Sequence, residues 1–76
     1  MNTIGKNIKE ARKSNGFTQA QLAEKAGISR SYLAGVEQDN YNPSVKTLLS
    51  IASACQADLN FLAGMTEKQV KVRRDA

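Results

Sequence analysis

The chain has 76 residues, which fits one small domain because chains usually carry about 100 to 200 residues per domain. Hydrophobic residues at 41% and charged residues at 24% are typical of soluble globular chains, so the composition predicts a folded core. The sequence has no histidine and a single cysteine, Cys55, which excludes an internal disulfide, a Cys/His zinc knuckle and Ser-His-Asp or Cys-His catalysis. We expect no metal, no cofactor, no small-molecule substrate and no enzymatic activity.

The charge balance favours a polyanionic partner. Eleven Lys and Arg residues against seven Asp and Glu residues give a net charge of +4. Apolar runs are only a few residues long, far short of the roughly 20 that a membrane-spanning helix needs. The first residues also lack the apolar core of a signal peptide. We therefore expect no membrane attachment and a reduced Cys55 thiol in the cytoplasm.

Apolar residues recur at spacings of three and four along the chain, which is typical of helices packed on a core. The spacing predicts five helices near residues 4–14, 19–26, 30–38, 45–55 and 59–63. The connections between them are short, as in a compact bundle. The predicted fold class is all-α.

The predicted helices begin at capping signals. Thr18 stands three residues before Gln21, which predicts a capping box, and Phe17 and Leu22 occupy the two positions of a hydrophobic staple. Ser29 has the same place before the third helix. The other expected caps are Thr3, Ser44 and Asp58, and the expected glycine stops are Gly16, Gly27 and Gly64.

The second and third predicted helices have the spacing of a helix-turn-helix unit. Each contains about eight residues, and the four residues 26–29 separate them. Small Ala23 lets the two helices cross closely, and Gly27 accepts the positive φ that the turn needs. Ile28, Leu33 and Val36 are expected to fill the space between the helices.

With these motifs the sequence resembles the Cro/repressor-type helix-turn-helix domain of phage repressors and xenobiotic-response-element-like regulators. The matching segments are residues 8–12, 17–23, 27–33 and 42–44, together with Glu37. The resemblance implies a compact five-helix, lambda-repressor-like domain whose third helix enters the DNA major groove, usually as a homodimer on a pseudo-palindromic site. One departure is Asp39-Asn40, where the family often has a glycine that tolerates a left-handed φ more easily.

The resemblance places Arg30, Ser31 and Gly35 at positions that face DNA bases. Helical geometry adds Ala34, because Leu33 and Val36 point inward and leave these four residues on the outer face. Arginine carries two parallel donors that match guanine O6 and N7, so Arg30 is the predicted specificity residue. Gly35 has two interpretations, close approach of the helix to bases or tight packing.

Contacts to DNA phosphates are expected at the helix starts and in the loop after the third helix. The resemblance implies this role for Gln19 and Gln38. The other candidates for phosphate contacts are Thr18, Tyr32, Asn40, Tyr41 and Lys46. The cationic Lys46 opposes the dipole of the fourth helix, a placement that a docked phosphate would offset. The alternative for Tyr32 is packing on the second helix, and the alternative for Tyr41 is pinning its own loop.

The remaining residues have structural interpretations. The resemblance implies that Arg12 and Glu37 form an ion pair between the first helix and the end of the third. Cys55 continues the apolar stripe of the fourth helix, which favours a core thiol over a redox sensor. The candidates for a dimer contact are Phe61, Leu62 and Met65, because they are more apolar than a monomer surface usually leaves exposed.

The predicted domain covers residues 1–64, and a basic tail follows at residues 65–76. The tail is interpreted as a linker or solvated segment, with a DNA-backbone arm as the alternative. For the whole chain we predict a sequence-specific regulator of transcription that binds double-stranded DNA, most plausibly a repressor. The alternative is a protein-interaction module, an antitoxin or an antagonist of a regulator, that uses the same fold.

Overall fold

The computed structural model describes residues 3–57, and this part of the chain is all-helical. It contains four helices: α1 (Ile4–Ser14), α2 (Gln19–Ala26), α3 (Arg30–Glu37) and α4 (Val45–Cys55). Four predicted helices are thus confirmed, and α3 ends one residue before its predicted end. The predicted fifth helix at 59–63, the cap at Asp58, the stop at Gly64, the residues Phe61, Leu62 and Met65 and the tail 65–76 lie outside the described residues.

Each described helix begins at its predicted cap, because a side-chain oxygen there accepts a backbone N–H that has no partner within the helix. At α2 the Thr18 hydroxyl accepts from the Gln21 N–H at 3.0 Å, and the Gln21 side chain accepts from the Thr18 N–H at 2.9 Å. This reciprocal pair is the predicted capping box. The same contact, from the N–H three residues later, is present at Thr3, Ser29 and Ser44.

The core lies where the four helices meet. Its largest fully buried side chains are Ile8, Leu22, Leu33, Val36 and Ile51, so every helix contributes at least one. Cys55 belongs to the same cluster and is 4% exposed, which agrees with its interpretation as a core thiol. No helix within residues 3–57 has the length and apolar character that a membrane span requires.

The loop between α3 and α4 is fastened to the start of α1. Asp39 has φ of 64°, a left-handed conformation at the place where the family often has glycine. Its carboxylate accepts from the Thr3 hydroxyl at 2.7 Å and from the Gly5 N–H at 3.1 Å. These contacts offset the strain of a left-handed aspartate. The loop therefore has a left-handed backbone at residue 39 although this residue is not a glycine.

Candidate nucleic-acid interface

The turn between α2 and α3 positions the third helix. Gly27 ends α2 with φ 73° and ψ 32°, which a residue with a side chain adopts only with strain. The Ile28 N–H then donates to the Ala23 carbonyl at 2.9 Å, and Ser29 caps α3 directly afterwards. The predicted helix-turn-helix unit is present, with Leu22 and Leu33 fully buried on its two helices.

The start of α3 presents a cation to solvent. Arg30 and Ser31 are exposed and Ala34 is half-buried, whereas Leu33 and Val36 on the opposite side are fully buried. The first turn of α3 contains no acidic residue, and within residues 3–57 the Arg30 guanidinium has no hydrogen-bonding or ion-pair partner. A cation at a helix start opposes the helix dipole at a cost of about 0.3 to 1 kcal/mol. Docking of an anionic ligand at this end of α3 would offset that cost.

Gly35 is buried, and the structure supports the packing interpretation of this residue. A Cβ atom added to Gly35 would overlap Cε2 and Cδ2 of Tyr41 and would lie 3.2 Å from Cζ. The space in front of the Gly35 Cα is therefore filled by the Tyr41 ring. Tyr41 also packs face to face with Tyr32, with ring centroids 5.7 Å apart and planes 15° apart.

A buried carboxylate links three parts of the chain. Glu37 at the end of α3 accepts from Arg12 Nε at 2.8 Å and from Arg12 Nη2 at 3.2 Å, which is the predicted ion pair. Arg12 Nη1 also donates to the Phe17 carbonyl at 3.0 Å. Gln19 Nε2 at the start of α2 donates to the same Glu37 at 3.1 Å. An amide group carries two N–H hydrogens, so one hydrogen on Gln19 Nε2 is left for a further acceptor.

Several predicted phosphate-contacting residues come together next to this carboxylate. Gln38 follows Glu37 directly, and its side-chain oxygen accepts from Asn40 Nδ2 at 3.4 Å. The Asn40 backbone N–H donates to the Gly35 carbonyl at 2.9 Å, which folds the loop back on α3. Because Gln19 donates to Glu37, the start of α2 is joined to the end of α3, which Gln38 and Asn40 directly follow.

Lys46 lies elsewhere, in a shallow groove between α2 and α4. It lines this groove with Lys25 and Ala26 from the last turn of α2 and with Leu49 from α4. The predicted contacts thus fall into three groups: the polar residues at the start of α2 and just after α3, the stacked pair of Tyr32 on α3 and Tyr41 in the following loop, and Lys46 at the start of α4.

The sequence did not indicate two of the contacts that organise the site. In the first, the Asp39 carboxylate accepts from the Gly5 N–H at the start of α1. In the second, the Gln19 side-chain amide donates to the Glu37 carboxylate. Each joins residues that are far apart along the chain, so helical spacing carries no signal for it. Within residues 3–57, no three side chains of metal-binding type come together.

Similarity to known proteins supports this geometry. Residues 8–62 match the family model HTH_3, described as helix-turn-helix. The immunity repressor protein of Bacillus phage phi105 is 50% identical over 62 residues, which cover 82% of this chain and 43% of that protein. The chain therefore spans less than half the length of this relative.

Two solved structures have the same fold. The biofilm regulator SinR in complex with DNA superposes with a TM-score of 0.76 at 36% identity, covering 79% of this chain and 97% of that one. The c2 repressor of P22 in complex with a synthetic operator gives a TM-score of 0.78 at 25% identity, covering 83% and 96%. Because the family model matches more than half of the chain, this protein belongs to the helix-turn-helix family HTH_3.

Proposed function

We propose that this chain is a sequence-specific regulator of transcription that binds double-stranded DNA and acts as a repressor. The observation that carries the proposal is the exposed start of α3, where Arg30 and Ser31 project from a helix held by the turn at Gly27. The DNA-bound SinR and P22 c2 repressor structures support it.

The thickness of α3 fits the major groove. An α-helix with its side chains is about 10 to 12 Å across, and the major groove of B-DNA is about 12 Å wide. Arg30 would donate two parallel hydrogen bonds to guanine O6 and N7, and Ser31 and Ala34 would face the neighbouring bases. The free guanidinium of Arg30 suits this role because no partner within residues 3–57 has to be displaced.

Phosphate contacts would set the register of α3 in the groove. The candidates at the start of α2 are Thr18 and Gln19, and those just beyond α3 are Gln38 and Asn40, which hydrogen-bond to each other. Gln19 keeps an amide hydrogen for a phosphate oxygen. The other candidates are the hydroxyl of Tyr32 and the ammonium of Lys46.

The proposal extends to assembly and domain limits. We infer a homodimer on a pseudo-palindromic operator, a fifth helix at residues 59–63, and a dimer contact through Phe61, Leu62 and Met65. Residues 1–64 would form the DNA-binding domain and residues 65–76 a linker or solvated tail. Such a regulator would work in the cytoplasm. The relatives named as repressors support repression.

Selection of bound duplexes from a random pool tests the function. We expect a palindromic consensus that binds more tightly than its shuffled sequence. For Arg30→Ala we expect the binding free energy to weaken by about 1 to 3 kcal/mol on the selected duplex. The lost sequence discrimination should be confined to one base pair in each half-site. The matched control is Lys9→Ala, which removes one exposed charge from α1.

An equal loss on every sequence would make Arg30 a phosphate contact. If the protein bound no duplex at low salt, the protein-interaction alternative would replace the proposal.

A further inference from the structure

We propose that Tyr41 is a specificity-determining residue, and that its ring contacts the C5-methyl group of one thymine in each half-site. The inference rests on the proposed function and deepens it. It replaces a hydroxyl contact to phosphate, expected from the sequence, with an apolar contact to a base.

The first step is the position of the ring. Residues 30, 31, 34 and 35 share the outer face of α3, because residues four apart lie on the same side of a helix. Gly35 has no side chain on this face, and the ring of Tyr41 fills the place where one would stand. The loop thus places the Tyr41 ring at a position of α3 that has no side chain of its own.

The second step is the fixation of the ring. Tyr32, a residue of α3, stacks against the ring of Tyr41 from the following loop. The loop backbone is fixed at the two residues just before Tyr41, since the Asp39 N–H donates to the Val36 carbonyl at 3.0 Å and the Asn40 N–H donates to the Gly35 carbonyl at 2.9 Å. A ring held in this way loses little further freedom when a ligand binds.

The third step is the chemistry of the ring. Tyr41 is 53% exposed although it covers Gly35, so about half of its surface remains open to a ligand. In the major groove, the one apolar group that marks a base is the C5-methyl of thymine, and apolar side chains recognise it. Gly35 is required in this arrangement because any larger residue would collide with the ring.

The experiment replaces each thymine of the selected duplex in turn with deoxyuridine, which lacks only the methyl group. We expect the wild-type chain to lose about fourfold in affinity at one thymine position of the half-site, the value for one buried methyl-sized group. Tyr41→Phe should keep this sensitivity, because the ring remains. Tyr41→Ala should lose it and bind the thymine duplex about fourfold more weakly. Asn42→Ala, an exposed neighbour in the same loop, should behave as wild type.

A second measurement needs no DNA. Nuclear Overhauser contacts between the Gly35 α-protons and the ring protons of residue 41 should be present in the wild type and in Tyr41→Phe, because the ring lies directly against Gly35. Absence of these contacts in the wild type would overturn the ring position.

Two DNA results would overturn the inference while leaving the proposed function intact. One is a Tyr41→Ala chain that still discriminates thymine from deoxyuridine. The other is an equal loss for Tyr41→Phe and Tyr41→Ala on every duplex, which would assign the hydroxyl to phosphate. A wild-type chain that binds no duplex would instead overturn the proposed function, and this inference with it.

Discussion

Glu37, at the end of α3, connects this helix to α1 and α2 through hydrogen bonds from Arg12 and Gln19. Its side chain is 3% exposed, that of Arg12 is 11% exposed, and the pair shares two hydrogen bonds. Loss of one partner leaves the other charge buried without compensation, which typically costs 3 to 5 kcal/mol. We expect Glu37→Ala to lower the free energy of unfolding by about that amount, measured by urea denaturation.

The control for this variant is Glu24→Ala, which removes the same charge from an exposed position on α2. It should change stability by less than about 0.5 kcal/mol. Similar effects of the two variants would show that net charge, and not the buried pair, is responsible.

Cys55 makes a pH-dependent contribution. Burial raises the pKa of its thiol above the ordinary value of 9.0, the positive charge of Arg12 lowers that pKa and the negative charge of Glu37 raises it. The folded chain therefore keeps the thiol proton to higher pH than the unfolded chain. The resulting stability is fully present below pH 9 and is lost as the pH rises through the folded-state pKa.

We expect the free energy of unfolding to fall more steeply between pH 8 and pH 10 in the wild type than in Cys55→Ala. The substitution also leaves a small cavity, but the cost of that cavity does not depend on pH. Urea titrations at several pH values measure the two slopes. Parallel curves would contradict the raised pKa.

At the level of helices, the starts were predictable because their signals are local. Thr18, Ser29 and Ser44 each lie within three residues of the N–H group that they accept, so the sequence alone identifies them. The turn at Gly27 was predictable for the same reason, since its positive φ is a property of a single residue.

The loop after α3 was not predictable in the same way. Asp39 contacts Thr3 across 36 positions and Gly5 across 34 positions of the chain. The Tyr41 ring covers Gly35 only because this anchored loop turns back on the helix. The sequence indicated a departure from the family at Asp39-Asn40, but the compensation for it exists only in three dimensions.

Two substitutions separate the contributions of Asp39. Asp39→Gly removes the carboxylate and relieves the left-handed strain, whereas Asp39→Ala removes the carboxylate and keeps the strain. We expect both variants to unfold at lower temperature, and Asp39→Ala to be the less stable of the two by about 1 kcal/mol. Calorimetry measures both. A glycine variant as stable as the wild type would show that the contacts to Thr3 and Gly5 contribute nothing net.

For the whole molecule, the positive charge should appear in the salt dependence of DNA binding. The net charge is +4, and each phosphate neutralised by a cation should add about −0.9 to the slope of log affinity against log salt.

Lys46 is the predicted phosphate contact that carries a full charge. We therefore expect Lys46→Ala to weaken binding on all sequences alike and to reduce the magnitude of the slope by about one, measured by fluorescence anisotropy over a salt series. Lys46→Arg keeps the charge at this position and should leave the slope unchanged, since counterion release depends on the charge that neutralises the phosphate. Equal slopes for the two variants would mean that the start of α4 does not reach the DNA backbone and that its groove with Lys25 faces away from the duplex.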